Sequence, residues 1–539
     1  MSSSPRLDLF MLPPQIHLSL SPDTAHRGLL TLSLFVVIAY ILLLILRKEL
    51  VDKDGHRLPP GPPIRYPFLR KYPERVLQRW KEQYGPLLSF WLGNQLFVII
   101  SDPAIVKDLM VTNGAVFSGR KQYFIKSQTI LKGRAITGSN YGDKWRQHRR
   151  IAMSLLTPNA IISYAHMLDY EAHILLKSLY QEGAGGMMPL SPAHHTGRFA
   201  LNNMLMVSFG TRTDNTRDPL VRRALALGDE FMELTGPFSN IVDFFPLLQW
   251  LPSRSKMRAK ALSAGIMEVY GAMIERARAR MNAGEDVPDC LVKTLINTRD
   301  QENLDWEDMC MLSAVFTLGG VHTTTSTLQW FVALIASHPE VQDRAHDELD
   351  EVVGRDNWPG VEDQQSLPYI RAVVKEVERL HSPLWMGTPH YSTGDFVYNG
   401  MHIPKDTVVI MNCYAMHHDP VRYENPFAFS PDRYYGDELN SAESSRLTDP
   451  MQRDHFAFGA GRRICPGMHV AEHSLWLAIS RLLWSFRIEA VPGESINLEE
   501  YEGKSGRTPL PFCVRFVPRH ERVAALLETE EEIKLLNLA

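Results

Sequence analysis

Hydrophobic positions are unevenly spread along the chain. Leu29–Leu46, "LLTLSLFVVIAYILLLIL", is 18 residues without a charge, at the lower limit for a helix spanning about 30 Å of hydrocarbon. The run exceeds the roughly 7–15 apolar residues of a cleaved secretory signal, and no small-residue cleavage site follows. "RKELVDKDGHR" comes next, and Arg47 and Lys48 adjoin the run, whereas only Arg27 lies close on the other side. This bias predicts one anchor with the bulk of the chain in the cytosol; a cleaved signal is the lesser alternative. "LPPGPP" (Leu58–Pro63) then reads as a stiff spacer, because proline-rich stretches favour extended backbone.

Beyond it the pattern is mostly helical, dominated by 3.6-residue periods from Ser154 to His381. Two places alternate instead. "PLLSFWLGNQLFVIIS" (Pro86–Ser101) predicts a hairpin turning at Gly93-Asn94, and "DFVYNGMHIPKDTVVIMN" (Asp395–Asn412) a second turning at Asn399-Gly400. No internal repeat or second linker interrupts the globule. "ERVAALLETEEEIKLLNLA" (Glu521–Ala539) reads as an acidic, solvated tail. The fold class is mainly α with small β-sheets (α+β). The expected organisation is an N-terminal lumenal segment (1–28), the anchor (29–46), a basic and Pro-rich linker (47–66), a catalytic domain (67–520) and the tail (521–539).

One helix is unusual. From about Trp306 to His338 the period persists, with Asp305 placed to cap its start and Pro339 to close it. Mid-way it contains "GGVHTTTST" (Gly319–Thr327), although each glycine costs about 1 kcal/mol against alanine in a helix. Two readings stay open: close helix–helix packing at Gly319-Gly320, or a local opening where a ligand meets the backbone.

Charge and cysteines narrow the chemistry. A net charge of −4 and pI near 6.6 give no reason to expect nucleic-acid binding. The five cysteines, Cys290, Cys310, Cys413, Cys465 and Cys513, are far apart, with no zinc spacing and no disulfide framework. Only Cys465 has an unusual setting, "FAFGAGRRICPG" (Phe456–Gly467). Gly459 and Gly461 permit a tight turn, Arg462 and Arg463 offer charge, and Pro466 opens a long amphipathic helix over Gly467–Phe486. Backbone N–H groups and the helix dipole there favour a negative sulfur. A lone thiolate in that setting suits haem iron better than zinc, which wants three further ligands.

These residues resemble the haem loop of the cytochrome P450 family, with Phe458, Gly461, Arg463, Cys465 and Gly467 at its spacings. Four further segments follow in the family's order. "KEVERL" resembles its Glu-x-x-Arg helix (Glu376, Arg379), and "FSPDRY" supplies Arg433. "WRQHR" gives Trp145 and Arg149, and "GGVHT" aligns Gly319, Gly320 and Thr323 with the oxygen-activating helix. The resemblance, covering about 60–517, implies a P450 fold preceded by one transmembrane helix. It implies haem ligated by Cys465, with Arg463, Trp145, Arg149 and His390 at the propionates and Phe458, Gly461 and Gly467 lining the cofactor. Glu376, Arg379 and Arg433 would form a buried structural triad, and the other four cysteines would be apolar filler.

The activity so implied is that of a monooxygenase using O2, with Thr323, Thr324 and His322 near the reaction. Relatives usually carry an acid where this chain has His322. That histidine is read three ways: a proton relay, a packed helix residue, or a sign of other chemistry. No flavin or nicotinamide fingerprint is present, so the implied partner is a membrane-bound NADPH–cytochrome P450 reductase, with Lys144, Arg146, Arg150 and Arg462 as a basic docking patch. The substrate is expected to be a hydrophobic small molecule walled by Phe124, Phe316, Leu384, Met386 and Leu510. Asp243–Pro252 resembles the family's membrane-dipping region. The chain looks most like fungal microsomal members of secondary metabolism, single-pass in the endoplasmic reticulum membrane. The rival functions are rearrangement or dehydration without reductase, and a non-catalytic haem sensor.

Overall fold

The structure, a computed structural model, describes residues 51–63, 65–66, 72–213 and 219–528. The chain divides into a short unit ending at Leu58 and a large unit from Pro59 onward. Leu29–Leu46 lies outside the described residues; among those described, no single helix is long and apolar enough to cross a membrane. The spacer reading is corrected in part. Ser89 donates from its backbone N to Pro60 O (2.9 Å) and from Oγ to Pro59 O (2.6 Å), so these prolines are bonded to the large unit.

The main helices are α1 (Pro73–Tyr84), α2 (Asp143–Met153), α3 (Pro158–Glu182), α4 (Ala193–Phe209), α5 (Pro219–Leu234), α6 (Arg254–Asn282) and α7 (Leu291–Thr298). They continue with α8 (Trp306–Ser337), α9 (Pro339–Val352), α10 (Pro368–Leu380), α11 (Met468–Ser485) and α12 (Glu521–Glu528). A five-stranded sheet takes the order β1 (Arg65–Tyr66), β2 (Leu87–Leu92), β3 (Gln95–Ile100), β7 (Val408–Met411), β4 (His390–Tyr391). The β2–β3 hairpin turns at Gly93-Asn94 as the alternation predicts. A second hairpin, β5 (Phe396–Tyr398) to β6 (Met401–Ile403), turns at Asn399 and Gly400, whose φ of 48° and 75° suit the tight turn that matches strand twist.

Helix α8 crosses the centre and packs on α4, α6 and α11. Asp305 accepts from Asp308 N at 2.7 Å while Asp308 accepts from Asp305 N, closing a capping box. The helix continues unbroken through its glycines, so of the two readings the break in the backbone is not seen. Each glycine has its own reason. A Cβ on Gly320 would lie 2.2 Å from Met204 Sδ of α4, whereas one on Gly319 would meet nothing within 4 Å and point into open space. The solvated-tail expectation is corrected over Glu521–Glu528, where α12 buries Val523 (0 % exposed) and Leu527 (1 %) because its apolar stripe packs on the globule; the rest of that stretch, 529–539, lies outside the described residues.

Candidate active site

The Cys465 loop is held from several sides. Gly461 has φ +64°, and a Cβ there would sit 2.1 Å from Met110 O, so only glycine fits. Cys465 N donates to Phe458 O at 2.8 Å. From α10, Arg379 grips Glu376 through Nε and Nη2, both at 2.7 Å, and donates from Nη1 to His417 O and Pro426 O. Arg433 Nε adds a third contact to Glu376 at 3.0 Å. The triad expected at these residues is therefore formed, with Glu376 and Arg379 fully buried.

Two histidines that the sequence reading missed carry this support into the loop. His417 donates from Nδ1 to Arg379 O (3.0 Å) and accepts Phe456 N at Nε2 (2.7 Å). His455 accepts Ala457 N at Nδ1, which places its proton on Nε2, facing Glu378 Oε2 at 3.1 Å. Both imidazoles accept loop amides.

Cys465 lines an apolar cavity whose opposite wall is α8, at Phe316, Gly319, Gly320, Thr323, Thr324 and Thr327, one face of a helix. It is the sole cysteine there. Cys413 is buried elsewhere, against Met411 O and Phe456 O, and burial pushes its thiol up to about 12. Burial also raises the Cys465 thiol, outweighing the Gly467 N–H and Arg149, which pull it down.

Arginines crowd the cavity rim. Arg463 donates to Ser118 O (2.9 Å), Ile136 O (3.1 Å) and Ser139 O (2.9 Å) and stacks 4.2 Å over the Trp145 ring. Arg149 donates to Ile464 O at 2.7 Å. Arg120, which the sequence gave no reason to single out, donates to Thr388 O and Pro389 O, leaving its buried Nε without a partner. Among the described residues none of the three is ion-paired. Burial and then repulsion from neighbouring arginines lower the pKa values of Arg120 and Arg463, the latter to about 10, while burial lowers that of Arg149 against an opposing pull from Cys465.

The family model described as Cytochrome P450 matches residues 59–516. The chain belongs to the cytochrome P450 family. It is 32% identical over 506 residues to cytochrome P450 monooxygenase polD of Polytolypa hystricis, covering 91% of this chain and 96% of the relative. It is also 32% identical over 510 residues to monooxygenase virE of Hypocrea virens, covering 91% of each. A solved zebra fish cytochrome P450 with progesterone superposes with TM-score 0.70 at 24% identity, covering 83% of this chain and 99% of that one, and supports the fold. This P450 is thus a haem-thiolate monooxygenase enzyme.

The residues present fit haem. Three clustered guanidiniums, none of them ion-paired, call for a polyanion, a thiol that faces the cavity can ligate a metal cation, and the walls between them are apolar. Not every expected contact is free to serve it. The Trp145 indole N–H donates to Ile136 O at 3.0 Å, so Trp145 acts here as a platform for Arg463. His390 donates from Nδ1 to Phe117 O at 2.6 Å, leaving Nε2 an acceptor; burial and then Arg120 hold its pKa well below the ordinary range.

Other sequence-singled residues scatter. Phe316, Leu384 and Met386 line the Cys465 cavity, and Leu510 lines a second, outer cavity. Phe124 lies outside both linings, with Lys256 Nζ 5.6 Å from its ring. Thr323 donates from Oγ1 to Gly319 O at 2.8 Å. His322 turns away from Cys465: Nδ1 lies 3.8 Å from Asp229 of α5, and Nε2 is buried against Gly228, where a Cβ would be 2.1 Å away. The expected basic patch is largely neutralised, since Lys144 pairs with Asp308 at 2.8 Å, Arg150 with Glu302 at 2.8 Å, and Arg146 with Asp143.

Proposed function

We propose that this P450 is a membrane-anchored monooxygenase that inserts one atom of O2 into a C–H or C=C bond of a hydrophobic small molecule in fungal secondary metabolism. The observation that carries the reading is the placement of Cys465 and the Thr323–Thr324 face of α8 on opposite walls of one apolar cavity. Cys465 would ligate haem, and Arg463, Arg149 and Arg120 would meet its acidic groups, with Phe458, Gly461 and Gly467 around it. When bound, haem supplies the iron at which O2 is activated, made electron-rich by the thiolate.

The chain's own residues do the rest. Phe316, Leu384 and Met386 orient the substrate and exclude water. The Thr323 and Thr324 hydroxyls hold water and pass protons toward the cavity. His322 faces α5, which favours the packed-residue reading: His322→Phe keeps the ratio of product to NADPH consumed, whereas a fall into peroxide formation restores the relay reading. Electrons come from an NADPH–cytochrome P450 reductase. Leu29–Leu46 would anchor the chain in the endoplasmic reticulum with the catalytic unit cytosolic. Leu247 (83 % exposed) and Trp250 (87 %) offer a second apolar contact for the bilayer.

Co-expression with a reductase, followed by untargeted analysis of extracts from a strain lacking the enzyme, tests the reading. An oxygenated product that requires NADPH supports it. Turnover without NADPH supports rearrangement or dehydration, and haem binding without any product supports the sensor.

A further inference from the structure

The outer cavity, of about 950 Å³, has unmet donors at its floor. Arg507 is 5 % exposed, yet among the described residues its guanidinium donates to no protein acceptor and forms no ion pair. Its neighbours are ring faces, Tyr501 at 4.9 Å and Tyr414 at 5.6 Å. The carboxylate whose charge acts on it, Glu74, makes no ion pair with it and is engaged by the Tyr501 hydroxyl at 2.9 and 3.0 Å. The backbone of Arg507 is by contrast well held. Its N donates to Pro383 O at 3.0 Å, and its carbonyl accepts from Trp330 Nε1 at 2.9 Å and from Ser326 Oγ. Trp385, 3 % exposed, lines the same floor with its indole N–H unpartnered.

Leaving a guanidinium and an indole N–H buried without acceptors is costly, and a ligand oxygen would offset it. The carboxylates of this cavity do not fill that need. Asp229 and Glu502 are exposed at the rim, and Glu233 is paired with Lys504 at 2.5 Å. Thr323 and Pro383 line both cavities, so the two adjoin there. Along α8, the residues that hold Arg507 lie roughly 5–10 Å beyond Thr323 at 1.5 Å per residue.

We propose that the outer cavity binds an oxygen acceptor, a carboxylate or carbonyl at the end of the substrate remote from the oxidised carbon, with Arg507 and Trp385 as its donors. The substrate class narrows accordingly to an apolar chain or ring system about five to nine atoms long (roughly 1.25 Å per extended C–C step over about 5–10 Å of helix rise), ending in such an oxygen. This inference rests on the monooxygenase reading of the adjoining cavity.

The test measures dissociation constants of the haem-loaded protein for nonane, 2-nonanone and nonanoate, by calorimetry and by the Soret shift. At least one oxygenated probe should bind about tenfold tighter than nonane, as expected of a hydrogen bond to a charged donor. The advantage should fall to within about twofold in Arg507→Met and recover in part in Arg507→Lys. Trp385→Phe, which keeps the ring, should erode it by about threefold. Tighter binding of nonanoate than of 2-nonanone identifies a carboxylate, and equal binding a carbonyl. An absent preference, or one that survives both Arg507→Met and Trp385→Phe, overturns the proposal. Loss of the thiolate-type band of the carbon-monoxide complex in the wild type would instead count against the haem assignment.

Discussion

Arg379 and Arg507 are both almost wholly buried, and the protein treats them in opposite ways. Arg379 spends its donors on Glu376 and on three backbone carbonyls beneath the Cys465 loop. Arg507 spends none on the protein and faces a cavity. The difference separates a region built to hold one geometry from a region built to receive something. Full satisfaction fixes a loop; an open donor waits for an acceptor.

Substitutions on the two sides should therefore differ in kind and in size. The largest effect belongs to Cys465→Ser, which should abolish both the thiolate-type Soret band of the reduced, carbon-monoxide-bound protein and turnover; an unchanged spectrum would refute the ligand assignment. Next comes Arg379→Ala, which strands the Glu376 carboxylate and should cost about 3–5 kcal/mol, read as a lowered denaturation midpoint with loss of haem uptake. Arg507→Met should cost far less, within about 1 kcal/mol of the wild type without ligand, because relief of a buried guanidinium with no hydrogen-bond acceptor offsets the attraction that Glu74 loses. An Arg507→Met variant destabilised as much as Arg379→Ala would mean that Arg507 has a structural job and would erase the contrast. The last effects separate the two glycines of α8. Gly320→Ala meets Met204 and should cost about 1–3 kcal/mol by overpacking, while Gly319→Ala should gain about 1 kcal/mol of helix propensity and show its effect in ligand binding instead.

What was legible in the sequence was local. The Cys465 loop, the capping Asp305, both hairpin turns and the i,i+3 pair Glu376–Arg379 each depend on residues a few positions apart, and each stands where the pattern puts it. What was missed joins distant parts of the chain. Arg120 meets carbonyls at Thr388 and Pro389, His417 and His455 reach the loop from other segments, and Lys144 finds its acid at Asp308. A count of nearby cations could not reveal that compensating acids arrive from the far end of another helix. The glycine pair in α8 left packing and opening undecided, and the answer divides between them: Gly320 packs, Gly319 faces the cavity, and the helix stays closed.

The seating of His322 on Gly228 has a mechanical side. The imidazole fills a notch that exists because one residue of α5 lacks a side chain, so it works as a detent between two crossing rods. Sliding α5 along its own axis would drive a neighbouring side chain into the ring, whereas tilting α5 about the notch leaves the contact intact. A tilt of α5 at this notch would therefore pivot one residue from Thr323.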